Sequence, residues 1–397
     1  MVKNIYILAN SPGELSGWVN PVLSALSERD LEVNVIFVAL PCPYASGRES
    51  VCAKSLPLVS RTLSVGEVLH GYSFDKKDSN LVLQFGGDPF FGFIVSRRLK
   101  GKWFLYGTRP RFSNFVDFYF LPDRSFVDRF VKKGISPLKY EVVGNLMVDS
   151  VVEHLNCDEV RNLLGVSSDD RLVSVLLGSR PFEYESSCSF FMEMSIEVLK
   201  RLDCCSVVMP IAPTVDEELL LSALKRSGFA CEKGFPKDVD CGSGRYVHMV
   251  QENNFDVMKA STLVVALPGT NNLQVASLGT PLVMLAPLNE AENIPLDGLP
   301  GLISSSSNLG RAIKRRLVFW YNKRERFVSL PNRLSGVEIV PEHRYIMTPS
   351  MAADVVCDLL SSEEKLNSIR KGYEMLDLSR GAALKVADTV CNFFKGS

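Results

Sequence analysis

The sequence lacks the marks of a metal-bound, disulfide-bonded or membrane-spanning chain. Its 10 cysteines stand at positions 42, 52, 157, 188, 204, 205, 231, 241, 357 and 391, with no C-x-x-C pair and only Cys204 and Cys205 adjacent. Zinc sites usually show paired ligands two to four residues apart, so none is expected, and most of these cysteines read as small buried apolar residues, as suits a reducing compartment. The 4 histidines, His70, His154, His248 and His343, share no metal-type spacing. Each reads first as a structural or surface residue, with His248, near a strand end, the best site candidate among them. Neither G-x-S-x-G nor H-E-x-x-H occurs. No run approaches the ~18 consecutive apolar residues of a membrane span, and residues 1–10 have too short an apolar core for a signal peptide. A cytoplasmic protein is expected. An excess of either charge is missing too: 44 Lys+Arg against 45 Asp+Glu leave a net charge of −1, without the global basic footprint of a nucleic-acid binder.

What is present is a globular composition, 46% hydrophobic and 22% charged over 397 residues, long enough for roughly two to three domains. Short apolar runs alternate with helix-length amphipathic stretches. Strands are expected at 5–8, 33–38, 81–85, 103–106, 116–121 and 141–143, with helices at 18–27 and 124–133 between them. The pattern then restarts: helix 150–164, strand 172–177, helix 193–202, strand 206–210, helix 217–227, strands 246–249, 263–267 and 281–285, with helix 272–278 before the last. The tail 352–394 reads as helical. Such alternation predicts parallel sheets covered by helices on both faces. The fold class is α/β, with two doubly wound domains split near residue 150 and facing a cleft. Ligands of such sheets bind outside the carboxyl ends of the strands, so motifs directly after strands carry most weight.

Four such motifs occur. Residues 10–17 (NSPGELSG) follow the first strand and open a helix, where glycines and free N–H groups admit an anion; an ordinary strand–helix turn capped by Ser16 is the alternative. Gly86-Gly87-Asp88-Pro89 follows the strand 81–85, and Asp88 there can act as a general base or simply form a turn. Leu177-Gly178-Ser179-Arg180-Pro181-Phe182-Glu183 offers an arginine fork and a hydroxyl for a diphosphate, or a surface arginine beside a turn. Leu267-Pro268-Gly269-Thr270-Asn271-Asn272 can wrap phosphates with backbone N–H groups and a hydroxyl, a reading favoured over a plain connection. A fifth stretch, 311–326, sets Arg311, Lys314, Arg315, Arg316, Lys323, Arg324 and Arg326 around the apolar run 317–321. It suits either an anionic membrane surface or a helix with a solvated basic face.

Residues 328–342 (VSLPNRLSGVEIVPE) resemble the V-S-L-P-N-x-L-A-G-x-x-x-V-P-E segment of bacterial lipid-A-disaccharide synthases. Other blocks follow in the same order. Residues 11–17 are similar to the family's A-G-E-x-S-G-D, 143–149 to its V-G-H-P-x-x-D, 177–183 to its P-G-S-R-x-x-E, and 269–281 to its G-T-A-T-L-E-A-x-x-x-x-T-P. The resemblance implies a GT-B glycosyltransferase: two Rossmann-like domains, 1–150 for the acceptor, completed by helices 352–397, and 151–351 for the nucleotide sugar. It implies a metal-independent, inverting enzyme without cofactor, peripheral on the cytoplasmic face of the inner membrane, and it is compatible with a homodimer. The donor would be UDP-2,3-diacylglucosamine, the acceptor 2,3-diacylglucosamine 1-phosphate, and the products lipid A disaccharide 1-phosphate and UDP. Ser179, Arg180, Gly269, Thr270, Asn271 and Gln274 would hold the UDP moiety, Asn332 and Glu338 would shape the donor pocket, and Asp88 or Glu14 would deprotonate the acceptor. The sequence departs from the family where D-A-P-D-F-N becomes Gly86-Gly87-Asp88-Pro89-Phe90-Phe91, where Gln274 replaces a glutamate, where Trp18 replaces an aspartate, and where residues 107–112 (GTRPRF) replace a tryptophan-rich block. A UDP-N-acetylglucosamine 2-epimerase-like activity and a non-catalytic nucleotide-sugar or lipid binder are the alternatives.

Overall fold

The structure, a computed structural model, describes residues 2–41, 49–72, 78–213, 215–229, 231–242, 244–294 and 307–396; Cys42 lies outside the described residues. The chain divides into two compact units, Met1–Ser150 with Asp377–Ser397, and Val151–Leu376.

The first unit is built on strands β1 (Lys3–Ala9), β2 (Asn34–Ala39), β3 (Val59–Ser64), β4 (Ser79–Gln84), β5 (Lys102–Tyr106), β6 (Phe118–Leu121) and β7 (Tyr140–Val142). Their order is β3-β2-β1-β4-β5-β6-β7, and every pairing is parallel. The central strands are apolar on both faces because helices cover both. Ile5, Ile7 and Ala9 of β1 enter one core, while Tyr6 and Leu8 enter the other. The edge strand β3 escapes the sequence pattern because VSRTLS keeps most of its side chains in or near solvent.

The carboxyl-terminal tail does not act as one block. Residues through Leu376 pack with the second unit, and only Asp377–Ser397 joins the first. The helix Ala382–Lys395 repeats Ala382, Val386, Val390 and Phe394 along one face and buries them in the first core beside Leu23 and Ile5. Asp149 fixes its start: its carboxylate accepts the N–H groups of Gly381 (2.8 Å) and Ala383 (2.6 Å). A charge is thereby supplied to the positive end of a helix that has no capping side chain of its own.

The second unit contains β8 (Arg171–Leu176), β9 (Cys205–Pro210), β10 (Lys237–Asp240), β11 (Tyr246–Val250), β12 (Leu263–Ala266), β13 (Leu282–Leu285) and β14 (Glu342–His343). The order is β10-β11-β9-β8-β12-β13-β14. Among the described residues, only the β10–β11 pair is antiparallel. Two helices differ from expectation. The helix expected over 150–164 begins at Cys157, where Asn156 and Glu159 form a capping box. The helix expected over 193–202 begins at Pro181 and runs to Arg201, because Pro181 at its first position and Glu183 at its third start it directly after the strand-end loop.

Among the described residues, no helix is long and apolar enough to cross a membrane.

Candidate functional site

In a doubly wound sheet the connections leave in opposite directions from two neighbouring central strands, and a crevice opens at their carboxyl ends. In the first unit those strands are β1 and β4, paired from Lys3↔Ser79 to Leu8↔Gln84. In the second they are β8 and β12, paired from Leu263↔Val173 to Ala266↔Leu176. The four strand-end motifs of the sequence therefore fall in pairs within their own units. Residues 10–17 touch 86–87 in the first, and in the second 177–183 and 267–272 leave neighbouring strand ends.

The same local device closes the first strand of each sheet. After β1, Ser11 caps a turn that has Pro12 at its first position and Glu14 at its third. The Glu14 carboxylate folds back to accept the N–H of Asn10 (2.8 Å). After β8, Arg180, Pro181 and Glu183 take the same places, and the Glu183 carboxylate accepts the N–H groups of Ser179 (2.8 Å) and Arg180 (2.9 Å). A glycine makes the room in each case: a Cβ on Gly86 would run into the Glu14 carboxylate, and one on Gly178 (φ +91°) into that of Glu183. The cap is Ser11; Ser16 lies within the helical turns, where its hydroxyl donates to Pro12 O (3.0 Å). A π-turn over Leu15–Val19 follows, a form often found at functional sites, and Gly17 within it leaves space for the Met147 thioether.

Asp88 caps the helix Pro89–Leu99, an element outside the expected helices. One carboxylate oxygen accepts the Phe90 N–H (2.8 Å), and the other pairs with Arg111 (3.0 Å). Both ion-pair partners are about half exposed, at 51% and 47%, and such pairs are worth about 0–1 kcal/mol, so Asp88 can exchange Arg111 for another partner. The buried Gln84 side chain anchors this loop by donating to the carbonyls of Gly86 (2.8 Å) and Asp88 (3.1 Å).

In the second unit Arg180 bonds Glu183 through one guanidinium nitrogen (3.3 Å) and keeps a third of its side chain exposed. Across β8–β12, Gly269, Thr270 and Asn271 are half buried. Thr270 stands at the helix start with no capping bond from its side chain. The loop is held by Asn272, a residue the sequence reading passed over: fully buried, it donates to Leu267 O (3.0 Å) and accepts the Gly269 N–H (3.4 Å). Its signal was a second asparagine opening an otherwise apolar helical stripe. Gln274 is buried in the same helix.

Asn332 lies in a short helix, Leu330–Ser335, that packs against the helix Asn271–Ser277, and Glu338 follows it in the chain. The β13–β14 register sets Met284 against Glu342, so residues 332–340 precede β14 and lie toward the amino-terminal edge of the sheet. Asn332 spends its whole amide on the protein. It donates to Val340 O (2.7 Å) and Glu342 (2.8 Å), and accepts from Ile339 N (2.8 Å) and Val340 N (2.9 Å). Glu338 is exposed and accepts the Glu342 N–H (3.3 Å); the buried carboxylate of this block is Glu342, which gathers the N–H groups of Val328 and Ser329. His248 pairs with Asp238 (2.7 Å) across the antiparallel β10–β11 edge, away from the β8–β12 crevice.

The family model for lipid-A-disaccharide synthetase matches residues 120–292. A lipid-A-disaccharide synthase of Cellvibrio japonicus is 23% identical over 276 residues, 68% of this chain and 61% of its own length. One of Xylella fastidiosa (strain M23) is 23% identical over 260 residues, 64% of this chain and 58% of its own. Over these stretches the chain is similar to lipid-A-disaccharide synthases. The matched stretches span about six-tenths of the relatives' length, and the family match includes both second-unit loops but neither Glu14 nor Asp88. Among solved structures, a putative UDP-N-acetylglucosamine 2-epimerase of Listeria monocytogenes superposes with TM-score 0.58 at 13% identity, covering 100% of this chain and 98% of that one. The wall teichoic acid polymerase TagF superposes with TM-score 0.54 at 12% identity, covering 99% and 89%. These likenesses bear on fold, and the fold is GT-B, with two Rossmann-like α/β units.

Burial pushes the Glu183 carboxyl above its ordinary value of 4.5, against the opposing pull of the Arg180 charge and of the two N–H groups. A raised native value means that the folded chain binds the proton more tightly than the unfolded chain, so stability falls as pH rises through the interval between the two. The melting temperature of the wild type should therefore rise relative to that of Glu183→Gln as pH is lowered from 7 toward 5, and the difference should level off below the ordinary carboxylate range. A difference moving the other way would show that the N–H groups and Arg180, not burial, govern this carboxylate.

Proposed function

We propose that this chain is an inverting glycosyltransferase of lipid A biosynthesis. It transfers a diacylglucosaminyl group from UDP-2,3-diacylglucosamine to 2,3-diacylglucosamine 1-phosphate, giving lipid A disaccharide 1-phosphate and UDP. The observation that supports the reading is the pairing of β8 with β12 up to Ala266↔Leu176, so that the Ser179–Arg180 and Gly269–Asn271 loops leave adjacent strand ends, in a chain similar to lipid-A-disaccharide synthases. In support, solved proteins of the same fold include MnaA of S. aureus, titled as a co-structure with UDP, and an epimerase of Neisseria meningitidis titled as bound to UDP-GlcNAc.

The second unit would take the donor. Arg180, already oriented by Glu183, would place a fixed positive charge on the diphosphate, and Ser179, Gly269, Thr270 and Asn271 would add hydroxyl and N–H donors. Such preorganised groups stabilise the charge that grows on the leaving group. Gln274 would face the ribose. The first unit would take the acceptor, and Asp88 suits the base better than Glu14. Asp88 holds one oxygen on an exposed, weak ion pair, whereas Glu14 is folded onto the backbone of Asn10. The acceptor hydroxyl would give its proton to Asp88 as its oxygen bonds to the anomeric carbon, and the bond to the diphosphate oxygen breaks from the opposite face.

The helix Asn308–Arg324 supports a membrane contact. Leu309 (72% exposed), Ile313 and Trp320 (58% exposed) line one stripe of it, flanked by Arg316, Lys323 and Arg324, with Arg324 over the Trp320 ring at 5.2 Å. This pattern suits the surface of a bilayer holding anionic lipid.

Two experiments test the reading. With UDP-diacylglucosamine and a panel of acylated and plain sugar acceptors, mass spectrometry should find a disaccharide phosphate only with the acylated sugar phosphate. Asp88→Asn should lower kcat by about 10²–10⁴-fold while leaving UDP-sugar affinity near the wild-type value. N-acetylmannosamine formed from UDP-N-acetylglucosamine alone would identify an epimerase instead, and donor binding without turnover a non-catalytic relative. For the helix, vesicles containing anionic lipid should retain the wild type and lose most of Trp320→Ser; equal retention of both would refute this contact.

A further inference from the structure

The first unit carries a cavity that no strand-end motif accounts for. It has a volume of about 690 Å³ and is lined by Pro110, Arg111, Phe112, Ser113, Asn114, Phe115 and Lys133, a size within the usual range for small-molecule sites. Its wall is part of an aromatic cluster. Phe93 stacks on Phe112 (centroids 5.5 Å apart, planes at 18°) and meets Phe115 at 4.7 Å, and Trp103 lies behind Phe112 at 6.1 Å. The cluster is not sealed, since Phe115 remains 44% exposed.

The loop is built to hold this form. Tyr119 OH donates to Arg111 O (2.8 Å), and Phe112 O accepts the N–H groups of Phe115 (2.8 Å) and Val116 (3.1 Å). Phe112 itself has φ +54°, a left-handed conformation that is costly for a bulky side chain and that tends to persist at ligand clamps and active sites. Cations surround the aromatic wall. Arg97 lies over the Phe115 ring at 5.1 Å, Arg111 lies 5.8 Å from the Phe112 centroid, and the exposed Lys133 makes no ion pair among the described residues. Asp88, on Arg111, is the one carboxylate paired with these three cations among the described residues.

We propose that this cavity binds one phosphorylated acyl-chain molecule, its chain against Phe112 and Phe115 and its phosphate between Arg111 and Lys133. Charge complementarity argues for the anionic group, since the positive charge of the rim exceeds its single carboxylate. The apolar wall argues for the chain, since free phosphate would leave it uncovered. This assignment rests on the transferase reading, in which the cavity is the subsite for the phosphate-bearing acceptor. It also links that acceptor to the base: a phosphate taken by Arg111 competes with Asp88 for the guanidinium, so the arriving acceptor loosens the carboxylate that is to take its proton.

The probes are hexyl, octyl and decyl phosphate, kept below their micellar concentrations and titrated calorimetrically into the full chain. Each added methylene that the wall buries should strengthen binding by up to about fourfold. Phe115→Ala should flatten this chain-length dependence, and Lys133→Glu should weaken all three ligands about tenfold without changing that dependence. Phe115 and Lys133 are both exposed, and a UDP titration of the same samples reports whether each variant is folded. UDP bound normally, with alkyl phosphates bound no better than inorganic phosphate or unaffected by both substitutions, overturns the cavity assignment while leaving the donor reading standing. Binding seen only with anionic vesicles overturns it in favour of a membrane surface. Alkyl phosphates bound as expected in a chain that binds no UDP sugar would preserve the pocket and remove the transferase reading.

Discussion

The strand that starts each sheet ends in backbone N–H groups that must find acceptors, and in both units a glutamate at the third helical position supplies one. Glu14 closes β1 and Glu183 closes β8. Each carboxylate needs a glycine beside it, Gly86 or Gly178, because a side chain there would take its volume. This choice has a chemical consequence. The loop N–H groups of Asn10, Ser179 and Arg180, which a ligand could otherwise claim, are already taken by a carboxylate. What the second unit can still offer to a phosphate is the guanidinium of Arg180, which Glu183 aims, together with the open loop across β12. The backbone of the 177–183 loop is thus spent on Glu183, while the Arg180 side chain stays a third exposed.

The sequence carried the architecture because parallel strands buried on both faces read as continuous apolar runs. β1, β4, β8 and β12 all show this, and they are the strands that place the site. Elements outside this logic were harder to read. β3 is a polar edge strand, β14 has two residues, and the helix Pro89–Leu99 begins at an Asp-Pro that also spells a turn. The strand-end motifs fell at paired strand ends because topology alone puts them there. Their internal wiring was not legible: nothing in the residue types said that Glu183 would fold back onto Ser179 and Arg180, or that Arg111 would pair with Asp88 from 23 positions away. The S-L-P-N block shows the limit of motif reading. Its regularity supports an internal hydrogen-bonded stitch around Asn332 and Glu342.

The first unit departs from the family pattern in the places where an acceptor would be handled, and the structure shows those departures as one connected group. The Gly86-Gly87-Asp88 loop, the Arg111 pair and the phenylalanine cavity share residues and hydrogen bonds, so a change in one is felt by the others. The second unit, by contrast, lies largely within the matched family region, and both of its strand-end loops fall inside it.

The central claim is that the paired ends of β8 and β12 form the nucleotide site. Amide hydrogen exchange of the full chain with and without UDP tests it most directly. The account expects slowed exchange at 178–183 and 267–274, with the core strands unchanged. Unchanged exchange in both loops, or slowing confined to residues 10–17 and 86–88, would contradict it.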